Sequence, residues 1–207
     1  MRPNQSDKDK AIALFNYVRD EIRYDPYRVG LEPSLFSAGD PIRAGRAYCV
    51  PKAITWVTLL RACGIPALLG FADVTNHMSS AKLQENLRSD IFAHHGYGVV
   101  WLEGKWLKAT PTFNRTLCEK AQIQVLEFDG ESDAIFHPFD LTGHRHMEYL
   151  TDHGWRWDFD LAELDQAYRL HYPHWYQPET AIAGANLGDF EQEVADESAS
   201  SSSASRV

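Results

Sequence analysis

Long apolar runs, dense basic clusters and metal-type cysteine spacing are all missing from this chain of 207 residues. No stretch approaches the length of a membrane span. The 20 Lys and Arg stand against 29 Asp and Glu, a formal net charge of -9. With no basic face in the pattern, the charge argues against a nucleic-acid partner. Cysteine is scarce: Cys49, Cys63 and Cys118 cannot all pair, and none stands in a C-x-x-C. Reduced thiols in a reducing compartment are the simpler expectation. The opening, Met1 to Lys10, is polar and has no apolar h-region of a secretory signal. These absences lead to an expected soluble, cytoplasmic protein with no membrane and no nucleic-acid partner.

What is present is a globular composition, 44% hydrophobic and 12% aromatic. The pattern divides into a polar lead-in (1–7), one domain (8–183) and an acidic, serine-rich tail (184–207) that buries too little apolar surface to order itself. Ser6 or Asp7 can cap a first helix running to about Tyr24, with Ala11, Leu14, Phe15, Val18 and Ile22 on one face. Asp25-Pro26 ends it. Residues 25–46 are rich in Pro and Gly and read as a long structured loop. A central helix follows, bracketed by Gly45 and Pro51 at its start and by Gly64 and Pro66 at its stop. Its residues Ala53, Ile54, Trp56, Val57, Leu59, Leu60 and Ala62 leave no wide polar face, so it is buried on most sides.

Beyond it, Ala67 to Phe71 reads as a buried strand and 72–93 as an insertion. Gly96 to Leu102 and Lys105 to Thr110, joined by Glu103-Gly104, form a hairpin signal. Ile123 to Phe128 alternates like another strand, 129–140 like a loop, and 141–157 mixes polar and aromatic residues. Asp158 or Asp160 can cap a last helix carrying Leu161, Leu164, Ala167, Tyr168 and His171, stopped by Pro173.

The chemistry gathers at Cys49. A cysteine at the mouth of a helix faces unpaired N–H groups and the positive end of the dipole, and both favour thiolate. That is the setting of a nucleophile. His95 opens the hairpin and Thr110 closes it, so an antiparallel pair brings the two side by side. A histidine there is placed to act as base, with a group on the next strand fixing its ring.

These residues carry a resemblance. Cys49-x-x-Lys52-Ala53, the run Leu59 to Ala67 ending Gly-Ile-Pro-Ala, His95-x-Tyr97 opening a strand, Gly104-Lys105-Trp106 and the closing x-Pro111-Thr112 are similar to the transglutaminase-like superfamily. The match spans roughly residues 10–115 and suggests a small, bacterial-type member. It implies an α+β, papain-like core in which a central buried helix packs on an antiparallel sheet, and from about 116 a C-terminal extension. By it, Cys49 resembles the nucleophile and His95 the base, with His94 the rival. The family usually has Asp before Pro-Thr, where this chain has Thr110. A hydroxyl accepts the imidazole N–H bond but brings no charge to steady an imidazolium. Asn114 is the alternative orienter.

Tyr48, beside the Cys49 N–H, is a candidate for the oxyanion site, and His94 and Tyr97 for substrate contact. Trp101 and Trp106 read as packing. His144 and His146 offer a possible metal pair, but no carboxylate or cysteine at ligand spacing supports them. No metal and no organic cofactor is expected. The expected function is acyl transfer through a thioester at a peptide or protein amide, with hydrolysis favoured over transfer to an amine. A binding module that kept the fold without activity is the alternative.

Overall fold

Ser6 starts the first helix as expected, with a reciprocal cap. Its hydroxyl accepts from the Asp9 N–H and the Asp9 carboxylate accepts from the Ser6 N–H. In the computed structural model this helix, α1, spans Asp7–Glu21; the residues described are 5–76, 79–136, 141, 143, 146–177 and 188–204. Ile22 leaves the helix, and Arg23–Tyr24 forms a short strand, β1, parallel to β2 (Arg46–Ala47). Between them the expected loop is partly helical, with a 3-10 turn at Pro33–Phe36 and helix α2 at Gly39–Ala44.

The central helix, α3, spans Cys49–Ala62. Pro51 sits in its first turn, where no N–H is needed, and Gly64 at φ 77° follows its end. Trp56, Val57 and Leu60 are wholly buried, each contributing about 1.5–3 kcal/mol or more by burial. Lys52 is also wholly buried. Its ammonium donates to the carbonyls of Arg19, at 3.0 Å, and Ile22. These are C-terminal carbonyls of α1, which have no partner within their own helix.

The sheet has four strands in the order β5-β4-β3-β6, all neighbours antiparallel, with β3 at Ala67–Asn76, β4 at Ile91–Leu102, β5 at Lys105–Ala109 and β6 at Met147–Arg156. Glu103 (φ 48°) and Gly104 (φ 87°) make the two-residue turn of the hairpin. α3 lies against β4 because Gly96 and Gly98 have no side chains. A Cβ on Gly96 would stand 2.9 Å from the Val50 Cα, and one on Gly98 2.4 Å from the Trp56 ring. The architecture is α+β, a buried helix on an antiparallel sheet with other helices around it. Among the described residues no helix is long and apolar enough to cross a membrane.

Three expectations change. Ile123 to Phe128 is buried in part but forms no strand. It runs beside α1, where the Leu126 carbonyl accepts from the buried Arg19 guanidinium at 2.6 Å. The polar and aromatic segment before Trp157 holds β6, which pairs with β3 through register shifts that break its alternation. The tail expected to be unordered carries helix α7, Phe190–Ala204. Phe190 and Val194 enter the core, and Glu191 takes an ion pair from Lys120 at 2.9 Å. Two apolar anchors and a held carboxylate supply what composition did not reveal. The remaining helices are α4 (Ala81–Leu87), α5 (Arg115–Ala121) and α6 (Leu161–His171), the last capped by the Asp160 carboxylate.

Candidate active site

Cys49 is the first residue of α3, behind Tyr48 at the N-cap position. It is half-buried and opens on a small cavity that His95 also lines. Aromatic rings dominate the walls: Tyr24, Tyr48, Phe92, Tyr168, Tyr172 and Trp175. Tyr168 on α6 and Tyr172 at its C-cap come from a part of the chain in which the sequence pattern indicated no site. Their only signal was the spacing of an amphipathic helix.

At the helix mouth two effects oppose each other on the thiol. Burial pushes Cys49 up to about 11, against the pull of the N–H groups of Gly96, Val50 and Cys49 itself. Against the expected thiolate stands the desolvation of its charge, which here outweighs the pull of the N–H groups. That the Gly96 N–H reaches this sulfur also sets the cysteine beside the histidine strand.

His95 is 4% exposed, and burial drives its imidazole down to about 3. Its Nε2 lies 3.2 Å from the Thr110 hydroxyl, which lies 2.8 Å from that of Thr112. Both threonines are buried. Phe136 and Tyr149 flank the ring, at 5.2 and 6.4 Å between centroids. With Thr110 accepting from Nε2–H and donating to Thr112, the lone pair falls on Nδ1. Burial thus favours the uncharged form of both the thiol and the imidazole, and the ring is tied through Nε2 to the Thr110–Thr112 hydroxyl pair. Thr112 is the member that the sequence pattern did not single out, although it stands inside the x-Pro-Thr motif.

The other candidates fall elsewhere. Asn114 is not at the histidine. Its Oδ1 accepts from the Tyr24 N–H at 2.9 Å, and its amide donates to Thr116 and Glu191. It precedes α5 and ties β1 to α7. Tyr97 donates to Asp152 at 3.1 Å and does not line the cavity. His94 takes the left-handed conformation (φ 53°) at a break in the β3–β4 register. Its ring turns to Glu163, Asp73 and His153, away from Cys49. Tyr48 does line the cavity, next to the cysteine, with a phenol that burial keeps protonated. Trp101 and Trp106 pack on each other at 5.3 Å. His144 lies outside the described residues, so its pairing with His146 is not visible; His146 itself is buried against Phe113 and Phe136.

The family model described as transglutaminase-like superfamily matches residues 1–111. That span runs from α1 through β5 and includes Cys49, His95 and Thr110. No curated protein and no solved structure matches the chain.

Proposed function

The chain belongs to the transglutaminase-like superfamily, and from that premise we propose that it is a cysteine enzyme acting on amide bonds of a peptide or protein. The observation that carries this reading is one cavity lined by both Cys49 and His95, with the histidine ring tethered through Nε2.

The Cys49 sulfur attacks the amide carbonyl carbon while His95 Nδ1 takes the thiol proton. Because both groups rest uncharged, proton transfer accompanies S–C bond formation rather than preceding it. The oxyanion is held by backbone N–H at the start of α3, beside Tyr48. The C–N bond then breaks, the amine leaves with the proton from His95, and a thioester on Cys49 remains. Water, deprotonated by His95, adds to the thioester carbonyl and releases the acid and the thiol. An amine in place of water gives a new amide. Hydrolysis is the favoured outcome, since water is at hand in any site that does not exclude it. The aromatic walls suit an acyl group with an apolar neighbour. The free thiols of Cys49, Cys63 and Cys118 fit a reducing, cytoplasmic location.

The test is incubation with glutamine-containing peptides, with and without a primary amine, read by mass spectrometry. Deamidated or cleaved peptide from the wild-type chain, and none from Cys49→Ala, is expected. Incorporation of the amine would instead assign cross-linking. No turnover above Cys49→Ala would leave a binding module, the reading that the neutral Thr110 in place of a carboxylate favours.

A further inference from the structure

Behind the active-site histidine lies a second cluster that the proposed chemistry does not use. Asp73 on β3, His94 on β4 and His153 on β6 come from three adjacent strands, and one ligand atom of each lies within 4.8 Å of the others. His94 Nδ1 stands 4.0 Å from Asp73 Oδ1, and His153 Nε2 stands 3.0 Å from Asp73 Oδ2. We propose that these three side chains form a binding site for a divalent transition-metal ion of the zinc type. The proposal goes beyond the Cys49 reading and does not depend on it.

Three observations carry it. First, the donor set is two imidazoles and one carboxylate, which suits zinc and its neighbours rather than calcium or magnesium. Bonds of about 2.0–2.1 Å in a tetrahedron set ligand atoms about 3.3 Å apart, and here one ligand atom of each residue already lies within 4.8 Å of the others. Second, His94 Nδ1 is buried and makes no hydrogen bond, and His153 Nε2 faces the same carboxylate, 3.0 Å from Asp73 Oδ2. A buried polar atom without a partner is rare and costly, and a cation supplies the missing partner of His94 while taking Asp73 and His153 as its other ligands. Third, the outer groups are arranged as around a metal. The other nitrogen of His94, Nε2, lies 3.3 Å from Glu163 Oε1. A proton held there by the carboxylate leaves the Nδ1 lone pair turned to the cluster. Arg156 pairs with Glu163 and so is committed to that carboxylate. The Asp73 carboxylate is further held by the His94 N–H at 3.0 Å.

The consequence is mechanical. An ion there would pin β6 to β3 and β4 and, through Glu163, would pin α6. That helix and its C-cap supply Tyr168 and Tyr172 to the cavity wall.

The test uses the full chain carrying Cys49→Ala, which removes the active-site sulfur as a competing ligand. After metal stripping, it is dialysed against Zn²⁺ and, separately, titrated with Co²⁺. One equivalent of zinc per chain is expected, with a rise in melting temperature. Cobalt is expected to give d–d absorption without a thiolate charge-transfer band. His153→Ala should lose the equivalent, and Glu163→Gln should weaken binding about 10-fold or more. Asp73→Asn replaces His153→Ala should the latter not fold, and His174→Ala serves as a histidine control that keeps the ion. The proposal is overturned if the folded Cys49→Ala chain takes up no stoichiometric zinc. Uptake that survives His153→Ala or Asp73→Asn, or a thiolate band placing the ion on Cys63 or Cys118, would overturn it equally.

Discussion

His95 Nε2 meets the Thr110 hydroxyl at 3.2 Å, and the same hydroxyl meets Thr112 at 2.8 Å. The imidazole is thus held in one orientation by a group that carries no charge. Thr110→Val should remove that orientation and lower kcat about 10-fold with little change in KM, and Thr110→Ser should restore it. A merely packing threonine would show the opposite order, with valine tolerated and serine not. Thr110→Asp tests the missing charge. A carboxylate there favours the imidazolium, so Cys49 alkylation should shift toward neutral pH, at a cost in stability from the buried acid.

Cys49 alkylation in the wild-type chain should climb with pH and reach no plateau near neutrality. The thiol is pushed up from about 9 to about 11 by burial, and only the thiolate reacts. Iodoacetamide labelling followed peptide by peptide by mass spectrometry reads this directly. A plateau from pH 6 upward would mean a preformed thiolate–imidazolium pair. Cys118, buried and pushed up to about 12, should label more slowly still.

Acid should destabilise the fold through His95. Its imidazole is lowered from 6.5 to about 3, so below pH 6.5 the unfolded chain binds a proton that the folded chain refuses. Stability from this group is intact above pH 6.5 and is lost as pH falls toward 3, on the order of 4 kcal/mol at the lower end. His94, lowered to about 4 by burial, adds to the same slope. Urea melts of the wild type and His95→Gln between pH 7 and 4 should show a shallower pH dependence in the variant.

What the pattern of residues revealed followed from local physics. The buried faces of α1 and α3, the Ser6 cap, the Glu103-Gly104 turn and the Asp160 cap each depend on neighbours a few residues apart, and each stands where expected. The placement of Cys49, His95 and Thr110 followed from the same local units together with the resemblance. What did not follow depends on partners distant in the chain. The state of the Cys49 thiol is set by how deeply other elements bury it, which a helix-end argument does not contain. Asn114 is drawn to Tyr24 and Glu191, 90 and 77 residues away. β6 is a strand because β3 offers it an edge, and α7 is a helix against the core because Tyr24 and Tyr27 offer Phe190 a seat.

That seat can be tested. The Phe190 ring stands 5.6 Å from Tyr24 and 6.1 Å from Tyr27, and it is buried. Phe190→Ala should cost about 3 kcal/mol. Hydrogen exchange should accelerate first in α7 and then at the Tyr24 N–H, which Asn114 holds. Unchanged protection in α7 would show that Glu191 and its partners alone secure the helix.

Gly98→Ala addresses the contact that seats the central helix on the sheet. The added Cβ would stand 2.4 Å from the Trp56 ring. The ring has no room to withdraw, because Phe15 and Phe128 both close on it edge-on, at 5.7 and 5.6 Å. Either α3 must move off β4 or Trp56 must leave its rotamer, and overpacking of this kind costs about 1–3 kcal/mol. A moved helix carries Cys49 away from His95, so activity should fall along with stability. A rotated Trp56 would leave the helix in place, so stability alone would fall. Denaturant melts paired with Cys49 alkylation rates separate the two. Alkylation unchanged from wild type with a lowered melting midpoint assigns the strain to the tryptophan. A change in both assigns it to the helix, because the thiol then has a different environment.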